Sequence, residues 1–326
     1  MAVTIDGTNG VTFNDSSLQA AASSPYVIKN RIINGAMQVW QRGTSFTAPS
    51  GYTADRWYVA GAGTQPNASQ IASPISGYQY ALQITGVAGN TQSYAYQKIE
   101  SYNCTDLAAQ NITVQMVLQA STAQTITILL AYANSQDNWG ASTNISYVNF
   151  SVTTSAQVFT TTFTSLPSGA ANGLELIIYP QGGGAFTSGT LKITGVQLEI
   201  GTSATPFERR LYGQELANCQ RYYQRFVNSG LTYTSIGNGV SSGTTTIGRW
   251  NQQLFVPMRA APTISFVNCV GFDGTVGGAV SNSNNYASTT NLDADLTTSA
   301  INGTTGRRAT VLMLSNGYVE LTGAEL

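Results

Sequence analysis

The side chains best suited to chemistry are a few acidic and aromatic residues set among Asn and Ser. Asp293 and Asp295 stand two positions apart, a spacing that would place both carboxylates on one side of a strand. Together with Asn291 they offer the oxygen ligands that a hard cation prefers. A solvated acidic loop accounts for the same residues without any ligand, so we predict no metal site and no cofactor.

One tryptophan has the surroundings of a sugar-binding ring. Trp139 follows Asp137 and Asn138 in a polar segment that has no strand pattern. An exposed ring can stack on the apolar face of a sugar while neighbouring carboxylate and amide groups bond its hydroxyls. The alternative is a ring that folds back over a sheet or into a subunit interface. Competing candidates for glycan or receptor contact are Trp250, Tyr286, Asp293 and Asp295.

The composition excludes several classes of chemistry. The chain has no histidine, so Ser-His-Asp and Cys-His catalytic arrangements cannot form. Cys104, Cys219 and Cys269 are an odd and widely spaced set, unlike a disulfide framework or a zinc site, and we expect free, partly buried thiols. Charged residues make up 9% of the sequence and the net charge is −1, which argues against nucleic-acid binding through phosphates.

Sequence patterns also bear on two further possibilities, glycan hydrolysis and membrane insertion. Fifteen acidic residues leave room for the paired carboxylates of a glycan hydrolase, but the sequence has no long repeat of the kind that builds a β-helix platform for such an active site. We therefore predict no catalysis and keep a glycan hydrolase as the alternative. Residues 1–6 lack the character of a signal peptide, and no apolar run reaches the roughly 18 residues of a membrane span, so we expect no membrane insertion.

Alternating polar and apolar residues predict an all-β protein. Short strand patterns are separated by Gly, Pro and Asn turns, with no helical periodicity between them. We interpret 26–207 on this basis as a jelly-roll or β-sandwich domain. Examples of the strand patterns are 112–118, 125–130, 174–179 and 191–198.

Three further segments flank that domain. Residues 1–25 carry two short β runs and too few apolar residues for a core, which indicates an attachment arm. Residues 208–226 form a predicted helical connector, and 227–326 return to β patterns, interpreted as a distal β-sandwich. Within this distal part we expect loops over 274–299 and a final hairpin that turns at Asn316-Gly317.

The helical connector has apolar side chains at spacings of 4, 3, 4 and 3 residues. That spacing is an a/d seam through which the helices of three sister chains would pack. An amphipathic helix that covers the neighbouring sheet is the open alternative, because the seam spans only about two heptads. The seam residues are Tyr212, Leu216, Cys219, Tyr223 and Phe226.

Seven segments carry a resemblance to one protein family. They read TNGVTF at 8–13, NRIINGAMQVWQRGTS at 30–45, YTADRW at 52–57, YAYQKIE at 94–100, QLEIGTSATPFERR at 197–210, ELANCQRYY at 215–223 and VPMRAAPT at 256–263. In this order they resemble the fibre-start motif, the recurrent domain, the segment that follows it and the distal module of bacteriophage tail-fibre and receptor-binding proteins.

The resemblance implies a virion protein with a carbohydrate-binding-like jelly roll that works as a homotrimer. We accordingly expect a structural tail fibre protein, made in the host cytoplasm and located in the virion tail, that binds a host-surface glycan. Residues 1–25 would join other tail or baseplate proteins, and 227–326 would be the receptor-binding tip. A bacterial surface adhesin is a weaker alternative.

Some residues of the family motifs have a structural interpretation. We expect Asp55 and Arg56 to form an ion pair at the edge of the sandwich and the rings of Trp57 and Trp40 to be structural, because the motif recurs in proteins that recognise different hosts.

Overall fold

The computed structural model describes residues 4–6, 10–12, 18–19, 28–182, 184–228, 230–241, 246–272, 277–285, 287–298 and 308–326. The fold is all-β, as the sequence predicts. One α-helix occurs in these ranges, α1 (Tyr212–Gln220), beside the short 3₁₀ turns Ser101–Asn103 and Ser168–Asn172. No helix in this part of the chain is long and apolar enough to cross a lipid bilayer.

The first strands form a small sheet of their own. β1 (Thr4–Asp6), β2 (Gly10–Thr12) and β3 (Leu18–Gln19) pair antiparallel in the order β1-β2-β3. Two of the three strands are the β runs predicted for the arm over 1–25.

Twelve strands form a sandwich of two antiparallel sheets. One sheet has the order β13-β10-β15-β8-β7-β4 and the other β12-β11-β14-β9-β6-β5. The strands are β4 (Ser45–Phe46), β5 (Gly51–Tyr52), β6 (Tyr58–Gly63), β7 (Asn67–Ala72), β8 (Tyr80–Thr85), β9 (Asn90–Ile99), β10 (Ile112–Ala120), β11 (Gln124–Ser135), β12 (Asn138–Val152), β13 (Gln157–Phe163), β14 (Leu174–Pro180) and β15 (Thr190–Ile200). The predicted jelly-roll-like sandwich is confirmed.

Side-chain alternation explains why these strands have one core face and one outer face. In β14, Leu174, Leu176 and Ile178 are fully buried between the sheets. Since successive side chains of a strand point to opposite faces, the residues between them project from the outer face of the second sheet. Strand β9 follows the same rule, with Ala95 and Ile99 in the core. The outer face of this sheet carries the functional site described below.

The sequence motifs near residue 30 build one corner of the sandwich. Asn34 has a positive φ of 57°, and its side-chain amide donates to the carbonyls of Val39 and Asp55. Trp57 is fully buried and donates from its indole nitrogen to the Asn34 carbonyl at 3.1 Å. A side chain at Gly35 would place its Cβ 2.0 Å from the Val196 carbonyl oxygen, so only glycine fits there. The predicted structural role of Trp57 is confirmed.

Trp40 and Asp55 are structural as well. The indole nitrogen of Trp40 donates to the Met37 carbonyl at 2.7 Å, and its ring packs on the core. The Asp55 carboxylate accepts from the backbone and the side chain of Gln41. Burial raises its pKa to about 6, against the opposing effect of Arg42, whose guanidinium lies 3.9 Å away. Asp55 thus pairs with Arg42 rather than with its neighbour Arg56.

The distal strands form a single sheet that closes on itself. They are β16 (Gln224–Val227), β17 (Tyr233–Ser241), β18 (Thr246–Gln253), β19 (Thr263–Phe272), β20 (Gly277–Asn285), β21 (Asn291–Thr298) and β22 (Arg308–Thr322). The order is β16-β22-β17-β18-β21-β20-β19, and β22 also pairs with β19. This closed sheet, with its own core, replaces the predicted distal sandwich, and we call it the distal barrel.

Two local predictions in the distal part are wrong. The stretch 274–299 is not loop-dominated, because it contains the antiparallel strands β20 and β21. Asn316-Gly317 does not end a hairpin, because β22 continues through it and pairs with β19 on both sides. Residues 314–317 instead form a bulge opposite the single residue Asn268 of β19. The carbonyls of Met313 and Leu314 at its start accept from the Asn228 side chain.

The predicted seam does not form a coiled-coil face. The helix ends at Gln220 rather than at residue 226, and Phe226 lies in β16, where it belongs to the core of the distal barrel. Cys219 and Tyr223 are 1% exposed within one chain, so neither is available to a sister chain. Only Tyr212 is exposed, and Leu216 is half-buried. The 4-3 spacing therefore reflects a short helix followed by a strand, and the predicted trimer must use other surfaces.

Charged and aromatic residues join the distal barrel to the sandwich. The Glu325 carboxylate pairs with Arg56 and, at 3.0 Å, with Arg42. Each guanidinium also covers a tyrosine ring of the segment after α1, Arg42 over Tyr223 at 3.5 Å and Arg56 over Tyr222 at 3.6 Å. Three of the sequence motifs thus meet at one buried ion cluster, which we call the interdomain cluster.

Candidate functional site

A cleft of about 610 Å³ lies on the outer face of the second sheet. Its volume is in the range of about 300–1,000 Å³ that ligand sites usually occupy. We call it the tyrosine cleft, because four tyrosines line it. Its lining residues are Gln92, Tyr94, Tyr96, Thr127, Leu129, Tyr147, Asn149, Glu175, Ile177, Tyr179, Gln181 and Gly182.

Strand register sets the order of side chains across the cleft. Tyr147 of β12 pairs with Leu129 of β11, which pairs with Ile177 of β14, which pairs with Tyr96 of β9. Side chains of paired residues in an antiparallel sheet lie on the same face. This row therefore gives the cleft an apolar floor of Leu129 and Ile177 with a tyrosine ring at each side.

The tyrosine rings differ in how firmly they are held. Tyr96 stacks on Tyr58 of the next strand with ring centroids 4.8 Å apart, and the ring of Tyr94, two residues earlier on β9, lies 6.0 Å from that of Tyr96. Tyr147 is 64% exposed, and its ring has no aromatic partner among the described residues. The cleft thus combines a fixed tyrosine ladder with one open ring face.

Polar groups of the cleft are free to bond a ligand. No hydrogen bond occupies the hydroxyl of Tyr94, Tyr96, Tyr147 or Tyr179 in the described part of the chain. Burial raises the pKa of both Tyr94 and Tyr96, so these phenols keep their protons as donors. Asn149 accepts from Thr127 at 2.8 Å, and its amide nitrogen remains free. These groups match the hydroxyls of a sugar.

One carboxylate, that of Glu175, lines the cleft. Glu175 is 8% exposed and lies between the buried residues Leu174 and Leu176 of β14. Burial raises the pKa of its carboxyl, and the positive charge of Lys98 opposes that rise. Within the described residues, no group of three or more His, Cys, Asp or Glu side chains is placed to hold a metal ion.

Trp139, predicted as the sugar-stacking ring, lies beside the cleft rather than in it. It belongs to strand β12, although no strand pattern marks it in the sequence, and it is half-buried. The Lys98 ammonium lies 5.1 Å from the centre of the Trp139 ring and 5.4 Å from that of Tyr96. The indole nitrogen is buried without a hydrogen-bond partner in the described structure.

The flanking residues Asp137 and Asn138 are engaged within the fold. Residues 136 and 137 form a two-residue turn between β11 and β12, with a φ of 51° at Asp137. The Asp137 carboxylate accepts from the backbone nitrogen and the hydroxyl of Ser101 at 2.8 and 2.9 Å. Asn138 accepts from the Gly140 backbone at 3.0 Å. These two side chains stabilise the turn and do not point to a sugar site.

The structure describes the side chains of two of the four distal candidates, Trp250 and Asp295. Trp250 is fully buried, and its indole nitrogen donates to the Ile236 carbonyl at 2.8 Å, so the predicted contact with a glycan is wrong. Tyr286 and the side chain of Asp293 lie outside the described residues. Asp295 is half-buried on β21, the strand whose alternate residues fill the barrel core.

The cleft residues themselves were missed by the sequence interpretation. Two signals were available: the Tyr94-Ala95-Tyr96 alternation, and a lone glutamate in the otherwise apolar and aromatic strand 174–179. Both indicate a strand whose outer face carries functional groups. The sequence patterns do not indicate that β9, β14, β11 and β12 are neighbours in one sheet.

No protein-family model and no curated protein matches the sequence. Several solved structures are similar over about half of the chain. A structure titled "CBM4 structure and function" is 17% identical with a TM-score of 0.36 and covers 52% of this chain and 98% of its own. The enzymatically active domain of bacteriophage CBA120 tailspike protein 4 is 15% identical, with a TM-score of 0.38 and coverages of 52% and 21%. TmCBM61 in complex with β-1,4-galactotriose is 12% identical, with a TM-score of 0.35 and coverages of 53% and 99%. Because these TM-scores are below 0.5, the similarities do not support a function by themselves. The function proposed below depends on the residues of the cleft and on the sequence motifs.

Proposed function

We propose that the protein binds a glycan in the tyrosine cleft and does not cleave it. The observation that carries this proposal is the combination of tyrosine rings, an apolar floor and unpaired hydroxyl and amide groups in one cleft. A sugar ring offers an apolar face for stacking and hydroxyls for hydrogen bonds, and the cleft supplies both kinds of partner. Because the cleft extends across four strands, it suits an oligosaccharide better than a single sugar.

A single carboxylate in the cleft supports binding without hydrolysis. Glycoside hydrolases generally use two carboxyl groups that flank the scissile bond. Glu175 is the one acidic residue among the lining residues of the tyrosine cleft. Release of reducing ends from a bound polysaccharide would contradict this part of the proposal and favour a glycan hydrolase.

The wider role rests on the sequence motifs. We infer that the chain is a structural tail fibre protein of a bacteriophage virion, assembled as a homotrimer, with residues 1–25 joining other tail or baseplate proteins. The glycan would then be a host cell-surface glycan. The interdomain cluster supports a fibre subunit in which the barrel and the sandwich move as one body, since it buries charges from both.

The experiment that tests the cleft uses one exposed tyrosine and a matched control. Tyr147→Ala should weaken binding to an oligosaccharide array by about 10–100-fold, because burying such a ring contributes about 1.5–3 kcal/mol. Tyr102→Ala removes another exposed tyrosine, 76% exposed and outside the cleft, and should leave binding unchanged. Equal binding by both variants would show that the glycan binds elsewhere.

A further inference from the structure

Glu175 lies where a bound glycan would touch it. It is on the outer face of β14 and lines the tyrosine cleft. Its register partners are Ala131 on β11 and Lys98 on β9. Only 8% of the residue's surface is exposed, and its open side faces the cleft.

The carboxylate has no partner of its own. Among the described residues, no donor and no cation forms a hydrogen bond or an ion pair with Glu175. The cation nearest in register, Lys98, is directed elsewhere, since its ammonium donates to the Leu326 carbonyl at 3.4 Å and lies over the rings of Tyr96 and Trp139. The carboxylate oxygens are therefore open to a ligand.

A carboxylate in this position has opposite effects on the binding of neutral and of acidic glycans. Partly buried polar groups are costly when unpaired, so sugar hydroxyls that donate to Glu175 would gain more than they would at an exposed acid. An anionic group at the same place meets a like charge in a medium of low dielectric constant. At a separation of about 5 Å and an effective dielectric of about 20, that repulsion corresponds to well over tenfold in affinity.

We propose that Glu175 makes the tyrosine cleft selective for neutral glycans, by accepting hydroxyl hydrogen bonds and by repelling uronate, sialate or phosphate groups. This inference rests on the proposed function, that the cleft binds a glycan. The host polysaccharide that the protein binds would then be a neutral chain rather than an acidic capsule.

The test compares each acidic polysaccharide with its own carboxyl-reduced form, which keeps linkage and stereochemistry. The probes are oligosaccharides of alginate, polygalacturonate and hyaluronan, each in native and reduced form, with neutral glucan, galactan, xylan and mannan oligomers. The wild-type protein should bind at least one reduced form about tenfold or more tightly than its acidic parent. Glu175→Gln keeps the shape and should bring that ratio close to one.

A second variant and a pH series test the electrostatic origin. Lys98→Met removes a positive charge that would attract acidic glycans, and it should increase the preference for the reduced form when measured at a pH where Glu175 remains ionised. Since burial raises the pKa of the Glu175 carboxyl, lowering the pH should protonate it while uronates are still ionised, and the preference should fall. The other titratable groups facing Glu175 are the phenols of Tyr94 and Tyr96, which stay protonated throughout.

The outcomes separate the two claims. Suppose that Tyr147→Ala abolishes binding and that the wild type binds acidic and reduced forms equally well. This result overturns the proposed selectivity and leaves the proposed function standing. A preference that Glu175→Gln does not reduce overturns it equally. Binding to no probe, or binding that Tyr147→Ala does not weaken, overturns the proposed function and the inference with it. Unchanged melting temperatures of the variants exclude unfolding as the cause.

Discussion

Replacing Glu325 by alanine is expected to lower the free energy of unfolding by about 3–5 kcal/mol, because it leaves the buried Arg56 guanidinium without its counter-charge. The side chain of Arg56 is 1% exposed and that of Arg42 is 14% exposed, and both pair with Glu325. The variant also removes a contact that joins the barrel to the sandwich. Chemical denaturation followed by tryptophan fluorescence measures the loss.

A surface pair provides the control for this variant. Asp106 pairs with Arg31 at 2.6 Å, but its side chain is 52% exposed. Asp106→Ala should therefore cost no more than about 1 kcal/mol. If Glu325→Ala costs as little as Asp106→Ala, the interdomain cluster does not hold the two parts together, and the rigid subunit proposed above loses its support.

Trp250→Ala is expected to destabilise the distal barrel by about 3–5 kcal/mol. The ring is fully buried, contacts Phe266 edge-on at 5.5 Å and donates its indole hydrogen to the Ile236 carbonyl. Its loss leaves a cavity and an unpaired carbonyl at once. Calorimetry should show a lower unfolding temperature for the barrel.

Phe255 is the matched control in the same barrel, since its ring is 65% exposed. Phe255→Ala should change the barrel's stability by less than about 1 kcal/mol. Glycan binding by Trp250→Ala, measured below its unfolding temperature, should match that of the wild type. A folded Trp250→Ala protein that no longer binds glycan would restore Trp250 as a site residue and contradict the placement of the site in the tyrosine cleft.

Local patterns predicted the fold class because strand alternation is a local property. Leu174, Leu176 and Ile178 mark a strand by themselves, and their burial follows once a second sheet is present. Local patterns failed where distant pairing decides the outcome. Asn316-Gly317 has the chemistry of a tight turn, but pairing with β19 on both sides of it makes it part of a bulge within β22.

The helix prediction failed for a related reason. Spacings of 4 and 3 residues occur in a coiled coil, but here Tyr223 and Phe226 follow the end of α1 and are buried by the sandwich and the barrel. Two heptads were too short to distinguish a continuous helix from a short helix and a strand. Cys219, Tyr223 and Phe226 are buried, as a seam requires, but their packing partners belong to the same chain.

The site could be predicted only in part, because its residues come from separate strands. Tyr94 and Tyr96 lie in a motif that the sequence analysis singled out, whereas Tyr147 and Glu175 lie far from it along the chain. They meet because β12, β11, β14 and β9 are neighbours in the sheet, an order that single-strand patterns do not contain. The indole ring of Trp139 is the type of side chain that most often stacks on a sugar, but its position on β12 places it beside the cleft.

A crystal structure of the protein with a bound oligosaccharide from the array would show whether the tyrosine cleft is the glycan site. We expect sugar rings over Leu129 and Ile177, stacked on Tyr147 and hydrogen-bonded to Glu175 and to the hydroxyl of Tyr96 or Tyr179. A sugar bound to the distal barrel, at β20 and β21 or elsewhere, with the tyrosine cleft empty, would contradict it.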